Sequence, residues 1–243
     1  MDTITLELGN KGRFSKTELR NVLEKLYPGR NENTLRWKIH DLKEKGAISH
    51  VTRGVYSLNK QKRSYLPEIP AEAKKLYKSI RQELPHAEFS VAQTGWFNEF
   101  MLHQVFRTYL VLEVEREAAV SVFNMLSEQG KKVFLDPDRK IFDLYISHAE
   151  NPIIVKPLIS ESPLMELDDI KIASLEKLLV DCICDTEIYS AQYQEVDSIF
   201  KRVMEKYTVN IGRLKRYSRR RNKTEKVAAL MNINSQDDRQ SYI

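Results

Sequence analysis

Apolar residues recur at helical spacing near the start of the chain. In "FSKTELRNVLEKLYP" the hydroxyl residue Ser15 is followed three positions later by Glu18, which is the capping-box pattern that begins a helix. The apolar stripe that follows consists of Leu19, Val22, Leu23 and Leu26. Pro28 and Gly29 then end the predicted helix.

A second amphipathic helix is predicted in "NENTLRWKIHDLKEKG", where Leu35, Ile39 and Leu42 share one side. The predicted helix begins near Asn33 or Thr34 and spans 33–45, and Gly46 ends it. The following segment, "AISHVTRGVYSL", is typical of two short strands over 48–58 that are joined by a turn at Arg53-Gly54. With a short helix expected over residues 2–9, the predicted order is helix, helix, turn, helix, hairpin.

This order predicts a winged helix-turn-helix, in which the outer side of the second helix of the pair enters the major groove of DNA. Arginine and lysine there can contact phosphates or a guanine edge, and the start of the helix can attract a phosphate. An arginine at the hairpin tip can reach the DNA backbone or the minor groove. The candidate DNA-binding residues are Asn33, Thr34, Arg36, Trp37, Lys38, His40, Lys43 and Arg53.

Trp37 has two interpretations. Its ring can press on a sugar or a thymine methyl of DNA. A large ring on a short helix more often packs against a neighbouring segment, and this second interpretation is the favoured one.

The composition changes after the hairpin. "NKQKRSYLPEIP" is typical of a linker, and "AEAKKLYKSIRQEL" predicts a helix after Pro70. "FRTYLVLEVE", "KKVFLDP" and "NPIIVKPLI" favour strands, and "REAAVSVFNMLSEQG" favours a helix that ends at Gly130. Residues 172–207 are predicted to be mainly helical. We therefore expect an α+β protein with a winged helix-turn-helix domain at 1–66, a larger mixed α/β domain at 67–231 and a polar tail at 232–243.

Charge is segregated along the chain, whose net charge is +5. Residues 11–65 carry 14 − 5 = +9, residues 66–200 carry 13 − 23 = −10, and residues 201–226 carry 11 − 2 = +9. Such segregation favours a nucleic-acid-binding module joined to a domain with another role. The second basic block can add phosphate contacts or bind an acidic protein, or it can be a solvated helix end. Its candidate residues are Arg213, Lys215, Arg216, Arg219, Arg220 and Arg221.

Other function classes are disfavoured by composition. No apolar run approaches the roughly 20 residues of a membrane helix, and the acidic start "MDTITLELGN" is unlike a signal peptide, so we expect a cytoplasmic protein. The two cysteines, Cys182 and Cys184, are expected to be reduced, partly buried thiols. We expect no metal site and no cofactor.

The segments "LRWKIHDLKEKGAISHVTRGVYSL" and "IASLEKLLVDCI" resemble the AbiEi-type antitoxins of bacterial type IV toxin-antitoxin systems and the uncharacterised winged-helix proteins related to them. The resemblance covers most of residues 1–231. It implies a nucleotidyltransferase-like architecture for the second domain, a winged helix that represses its own promoter, and a structural helix at 174–181. In that family the partner is a nucleotidyltransferase toxin. For this chain the resemblance implies a regulator, and a toxin partner stays open.

Three hypotheses follow. The first, which we adopt, is a DNA-binding, antitoxin-like transcriptional regulator that acts on double-stranded DNA without catalysis. The second is a nucleotidyltransferase-like enzyme that uses Glu113 and Glu115, although "AQTGWFNEF" has Trp96 where such enzymes place serine after glycine. The third is an adaptor whose winged helix binds protein. The operator sequence and the oligomeric state stay open.

Overall fold

A computed structural model describes residues 13–44, 48–52, 54–58 and 63–231, together with residues 4, 7, 8 and 11. The chain forms two compact units, Met1–Arg63 and Ser64–Ile243, which we call unit 1 and unit 2. We predicted the division after residue 66, and the contacts divide the chain three residues earlier. Helices accompany a mixed sheet, so the fold class is α+β.

The described residues within 13–58 of unit 1 combine two helices with a small antiparallel sheet. The elements are β1 (Phe14–Ser15), α1 (Lys16–Leu26), α2 (Glu32–Glu44), β2 (Ile48–Thr52) and β3 (Val55–Leu58). The strand order is β1-β3-β2, and both pairings are antiparallel. Gly54 has φ +80°, a left-handed conformation that glycine adopts without strain, and it joins β2 to β3.

Both helices of unit 1 begin at side-chain caps. The predicted capping box is confirmed: Ser15 Oγ accepts from the Glu18 N–H at 3.2 Å, and the Ser15 N–H donates to Glu18 Oε2 at 2.7 Å. Helix α2 begins at Glu32, earlier than predicted, because Asn31 Oδ1 accepts from the Thr34 N–H at 2.9 Å. The expected end at Gly46 lies outside the described residues.

The core of unit 1 is built from the predicted stripes. Leu19, Val22 and Leu23 of α1 pack with Leu35 and Ile39 of α2. The sheet contributes Phe14, Ile48 and Tyr56 to the same core. Of the helix expected at 2–9, the structure describes residues 4, 7 and 8, which are helical, and the remaining positions lie outside the described residues.

Unit 2 alternates helices and strands. Its helices are α3 (Ala71–Glu83), α4 (Arg116–Glu128), α5 (Arg139–Leu144), α6 (Leu175–Cys184), α7 (Ser190–Gln194), α8 (Val196–Lys206) and α9 (Ile211–Arg220), and residues 224–231 are also helical. Its strands are β4 (Phe89–Gln93), β5 (Leu110–Val114), β6 (Val133–Leu135), β7 (Ile153–Pro157), β8 (Leu164–Leu167) and β9 (Ile170–Ala173). Short 3₁₀ turns span Thr94–Glu99 and Ile146–His148.

The six strands form one mixed sheet in the order β6-β7-β5-β4-β9-β8. Neighbours β6 and β7, β7 and β5, and β4 and β9 are parallel, whereas β5 and β4, and β9 and β8, are antiparallel. The prediction of helix from residue 172 was wrong at its start, because Ile172 and Ala173 end strand β9 and Ser174 caps α6. Strands β4, β8 and β9 were not predicted.

The core of unit 2 lies between the sheet and its helices. Helix α6 is buried on all sides from Leu175 to Ile183, and its apolar residues Leu175, Leu178, Leu179, Cys182 and Ile183 are all at most 3 % exposed. Across the described part of the chain, no helix has both the length and the apolar character needed to cross a bilayer.

Candidate functional site

The outer side of α2 is open to solvent. Leu35 and Ile39, on the inner side, are only 3 % and 6 % exposed. Arg36 and His40 each follow one of these core residues and are exposed. The helix therefore rests on the core of unit 1 through one stripe and presents polar side chains on the other side.

The remaining predicted contact residues differ in their accessibility. Asn33 is exposed, and Thr34 and Lys38 are partly buried. Lys43 belongs to α2, but its side chain lies outside the described residues, as does the whole of Arg53. The exposed face that the structure describes thus consists of Asn33, Arg36, Trp37 and His40, with Lys38 at its edge.

Thr34 is already engaged within the helix. Its backbone N–H and its hydroxyl both donate to Asn31 Oδ1, each at 2.9 Å. We expected these groups at the helix start to be available to a phosphate. Because Asn31 already accepts from both groups, Thr34 contributes to helix capping instead.

Trp37 does not pack beneath a neighbouring segment, contrary to the interpretation favoured from the sequence. Its side chain is 60 % exposed. The ammonium of Lys38 lies 5.4 Å from the Trp37 ring centroid and 4.8 Å from that of Tyr27, within cation–π distance of both rings. The indole is therefore available to a partner.

A single carboxylate holds two of the arginines of unit 1. Glu32 Oε1 lies 2.9 Å from Arg36 Nη2 and 3.4 Å from Arg20 Nη1. Lys16, Arg20 and Arg36 line a groove of about 160 Å³ together with Glu32. Lys16 and Arg20 were not predicted from the sequence, because both lie on α1 and only the fold brings them beside α2.

Unit 2 contains a cluster of buried and partly buried charged side chains, which we call the ionic cluster. Its members are Glu113, Lys156, Lys177, Asp181, Asp185 and Arg221. Three carboxylates face three cations, so the formal charge of the ionic cluster is zero. Neutrality of this kind is required where charges leave water, because an unpaired buried charge costs several kcal/mol.

Lys177 is the centre of the ionic cluster and is fully buried. Its ammonium donates to Asp181 Oδ2 at 2.6 Å and to the Tyr217 hydroxyl at 3.0 Å. It also lies 2.6 Å from Glu113 Oε2, an ion-pair contact at an angle outside hydrogen-bond geometry. The Tyr217 hydroxyl in turn donates to Asp181 Oδ1 at 2.8 Å.

The second half of the ionic cluster joins the sheet to the segment after α9. Lys156 of β7 pairs in register with Glu113 of β5, and its ammonium lies 3.6 Å from Glu113 Oε1. The same ammonium donates to Asp185 Oδ2. Arg221 Nη2 donates to Asp185 Oδ1 at 2.7 Å.

Opposite charges keep these groups ionised despite their burial. Burial lowers the pKa of Lys177, but Asp181 and Glu113 outweigh it and raise that pKa well above its usual value. Burial raises the pKa of Asp181, but Lys177 and Lys156 outweigh it and lower that pKa. The pKa of Lys156 is raised in the same way as that of Lys177. The ionic cluster therefore links β5, β7, α6 and α9 through fixed charges.

The carboxylates considered for catalysis do not form an open pair. Glu113 is 3 % exposed and lies between two lysine ammoniums. Glu115 lies beyond the end of β5, where it precedes α4 and donates its N–H to the Glu88 carbonyl at 2.8 Å. Asp138, a further acid of the sequence, caps α5 by accepting from the Ile141 N–H at 2.8 Å. A two-metal site requires two free carboxylates on one face of a strand, and Glu113 and Glu115 do not provide such a pair.

Helix α9 carries most of the second basic block on its solvent side. The exposed members are Arg213, Lys215, Arg216, Arg219 and Arg220. Arg221 differs from the expectation, because its guanidinium turns inward to Asp185 in the ionic cluster. Leu214 and Tyr217 are buried and attach α9 to the core.

The cysteines do not lie among metal-binding groups. Cys182 is buried and Cys184 is partly buried, and both are free thiols. Within the described residues, no group of three or more histidine, cysteine, aspartate or glutamate side chains is placed to hold a metal ion.

The lysines and aspartates of the ionic cluster escaped the sequence analysis, although a signal was present. Lys156 interrupts the apolar run "NPIIVKPLI", and Lys177 and Asp181 lie four residues apart within "SLEKLLVDCI". A lysine and an aspartate at this spacing meet on one side of a helix. Charged residues inside apolar runs predict buried ion pairs, because an unpaired charge would not be tolerated there.

Comparison with known proteins gives one family. The matching model is described as a family of unknown function (DUF6577), and it covers residues 34–237, which is most of the chain. The matched region begins inside α2 and continues through unit 2. No curated protein matches the chain.

Proposed function

The chain belongs to DUF6577, a family of unknown function, and from its own residues we propose that it is a DNA-binding transcriptional regulator whose contact surface is the outer side of α2. One observation carries the proposal: Arg36, Trp37 and His40 are exposed opposite the buried Leu35 and Ile39. A helix that packs on its core through one side in this way leaves the side chains of its other side free to contact the major groove.

The arrangement of unit 1 supports the proposal. The helices α1 and α2 followed by the β2–β3 hairpin, with Gly54 in its turn and the short strand β1 paired to β3, correspond to the parts of a winged helix-turn-helix. The positive charge of residues 11–65 adds the electrostatic attraction that DNA binding requires. In this interpretation α2 is the recognition helix and the β2–β3 hairpin is the wing.

Glu32 explains how the surface can change partner. An exposed pair such as Glu32–Arg36 contributes roughly 0–1 kcal/mol, so a phosphate can replace the carboxylate at little cost. Arg20 loses only its longer contact, to Glu32 at 3.4 Å, in the same exchange and stays paired with Glu24 at 2.8 Å. Arg36 is then free to face the DNA backbone from the groove.

The resemblance to AbiEi-type antitoxins extends the proposal to repression of the protein's own promoter in the cytoplasm, with unit 2 as an antitoxin-like domain of nucleotidyltransferase-like architecture. The mixed six-stranded sheet supports that architecture only coarsely. The identity of the neighbouring gene tests the extension. A nucleotidyltransferase encoded there, whose toxicity is suppressed by co-expression of this chain, supports an antitoxin role. An unrelated neighbour restricts the proposal to regulation.

The experiment that tests DNA binding begins by selecting a preferred duplex from a random library with the full-length protein. Fluorescence anisotropy then compares three variants on that duplex. Arg36→Ala is expected to weaken binding by about 5- to 150-fold if the arginine reads a base, corresponding to about 1–3 kcal/mol. Glu32→Gln is expected to strengthen binding, because it releases Arg36 and removes a negative charge from the groove.

Lys25→Ala provides the matched control. Lys25 is an exposed cation of α1 that pairs with Glu7 at 2.9 Å and does not line the groove. Its loss should change affinity much less than the loss of Arg36. If no duplex is enriched, or if Arg36→Ala and Glu32→Gln bind as the unmodified protein does, α2 is not the DNA-contacting element and an adaptor role becomes the better explanation.

A further inference from the structure

A second surface suited to nucleic acid lies on unit 2, on the solvent side of α9. We call it the α9 cationic face, and its members are Arg213, Lys215, Arg216, Arg219 and Arg220. At 100° per residue these five positions span the half of the helix opposite Leu214 and Tyr217. Every one of the five is exposed, so the whole outer half of the helix is positively charged.

The α9 cationic face has no carboxylate partner within the part of the chain that the structure describes. Among the residues that the structure describes, none of its five side chains lies within ion-pair distance of a carboxylate, and Arg220 donates only to the Ser160 hydroxyl. Other surface cations of unit 2 do have carboxylate partners: Lys74–Asp168 at 2.7 Å, Arg139–Asp143 at 2.9 Å and Lys171–Glu88 at 3.7 Å. Carboxylates are abundant in the rest of unit 2, since residues 66–200 carry a net charge of −10, yet the described ones do not pair with the α9 cationic face.

The backbone beneath these charges is firmly held. Asn210 Oδ1 accepts from the Arg213 N–H at 3.0 Å and caps the start of α9. The buried Tyr217 hydroxyl donates to Asp181, and Arg221 donates to Asp185, so the ionic cluster fixes the far end. A fixed array of cations loses less conformational entropy on binding than the same charges on a mobile tail.

The chemistry of the α9 cationic face distinguishes between classes of partner. None of its five side chains is apolar, whereas a stable protein interface needs an apolar or aromatic centre. Four of the five are arginines, whose planar guanidinium matches two phosphate oxygens at once. A charged surface without an apolar centre fits the phosphodiester backbone better than it fits an acidic protein.

We propose that the α9 cationic face binds the phosphodiester backbone of nucleic acid and does not read its sequence. The inference depends on unit 2 alone and is independent of the role proposed for α2. In this proposal the second basic block contributes to the affinity for nucleic acid and not to sequence specificity, because phosphate contacts add binding energy to every sequence equally.

The salt dependence of binding tests the proposal. The full-length protein is titrated onto a duplex of arbitrary sequence at several salt concentrations, and the slope of log K against log salt is measured. The triple variant Arg213→Gln/Arg216→Gln/Arg220→Gln should reduce the magnitude of that slope by up to about 2.7, because each lost phosphate contact removes about 0.9. The control variant Lys74→Gln/Arg139→Gln/Lys171→Gln removes the same charge from cations that already have partners.

The outcomes separate clearly. A slope reduced in the α9 triple variant and unchanged in the control supports the proposal. Equal slopes in the two triple variants overturn it, and so does displacement of the DNA by poly-L-glutamate as effective as displacement by competitor DNA, which would indicate an acidic protein partner. The triple Arg→Lys variant, which keeps the charge, should keep the slope even if the glutamine variant proves less stable.

The result is also separable from that of the α2 experiment. The α9 triple variant should weaken binding to the preferred duplex and to an arbitrary duplex by the same factor. Arg36→Ala should instead reduce the difference in binding affinity between the preferred duplex and the arbitrary duplex. Failure of either proposal therefore leaves the other intact.

Discussion

Lys177 and Asp181 lie one turn apart on α6, and the ammonium of the first is 2.6 Å from the carboxylate of the second in a position that solvent does not reach. Such a pair is not by itself stabilising, since removing both charges from water costs several kcal/mol. Its importance lies in what it connects. Glu113 from the sheet and Tyr217 from α9 meet at the same ammonium, so α6 is tied to both.

Replacement of this lysine should destabilise unit 2 strongly. Lys177→Met leaves Asp181 and Glu113 buried with one cation fewer, and we expect a loss of about 3–5 kcal/mol in the free energy of unfolding. Urea denaturation in a Trp37→Phe background, followed by the fluorescence of Trp96, which is buried in unit 2, measures the change. Lys171→Met, at a partly exposed surface lysine paired with Glu88, should change stability by less than about 1 kcal/mol.

A double variant distinguishes charge imbalance from lost packing. Lys177→Met/Asp181→Asn restores electroneutrality, because Glu113 and Asp185 then face Lys156 and Arg221. It should therefore be more stable than Lys177→Met alone. If the destabilisation of the double variant equals the sum of those of Lys177→Met and Asp181→Asn, the two residues are not energetically coupled, and the ionic cluster does not act cooperatively.

Stability should fall on the acid side for a reason specific to Asp181. Its pKa is lowered in the folded protein because Lys177 and Lys156 outweigh burial, so the unfolded chain binds the proton more tightly. The contribution of this carboxylate is complete above its unfolded pKa of about 3.9 and is lost as the pH falls through its folded pKa. Urea midpoints measured at decreasing pH should drop less steeply in Asp181→Asn than in the unmodified protein.

The alkaline side should behave differently. The folded pKa of Lys177 is raised, so its contribution is complete below the unfolded pKa of about 10.4 and is lost only as the pH rises through the folded value. We therefore expect no loss of stability from this lysine between neutral pH and about pH 10.

On the acid side, an equally steep fall of the urea midpoint in Asp181→Asn and in the unmodified protein would contradict the assignment to Asp181.

The two cysteines should react slowly in the folded protein. Burial raises the pKa of Cys182 and of Cys184, so the reactive thiolate is scarce near pH 7. A colorimetric thiol titration should give little reaction before unfolding and two thiols per chain afterwards. The partly buried Cys184 should react first, and Cys184→Ser should abolish that first phase. Two fast thiols in the native protein would mean that α6 opens readily.

Local patterns were sufficient for the helices of unit 1 and for several elements of unit 2. The Ser15 capping box and the stripe from Leu19 to Leu26 predict α1 because both signals lie within a few turns of chain. The start of α2 was misplaced because Asn31 and Asn33 are both plausible caps, and only the hydrogen bond to Thr34 distinguishes them. The exposure of Trp37 was also missed, since it depends on what lies beside the helix.

Unit 2 shows where such patterns fail. Strand β4 lacks the alternation of a half-exposed strand, because its residues from Phe89 to Ala92 are buried on both faces. Strand β9 runs directly into α6, so its apolar residues were assigned to the helix. The ionic cluster joins Glu113 to Lys177 from distant parts of the sequence, and no local spacing predicts that meeting.

Trp37 offers a direct measurement of the surface proposed for DNA binding. The chain has two tryptophans, and Trp96 is only 8 % exposed whereas Trp37 is 60 % exposed. In Trp96→Phe the remaining indole should be quenched efficiently by acrylamide, a neutral quencher whose access the local charge does not alter. Addition of the preferred duplex should reduce that quenching, because DNA against the outer side of α2 would cover the ring beside Arg36. Arg36→Ala should require more DNA for the same protection. Protection that is absent at saturating DNA would locate the contact surface away from α2, since a duplex in contact with Arg36 and His40 cannot leave a neighbouring indole on the same helix equally accessible.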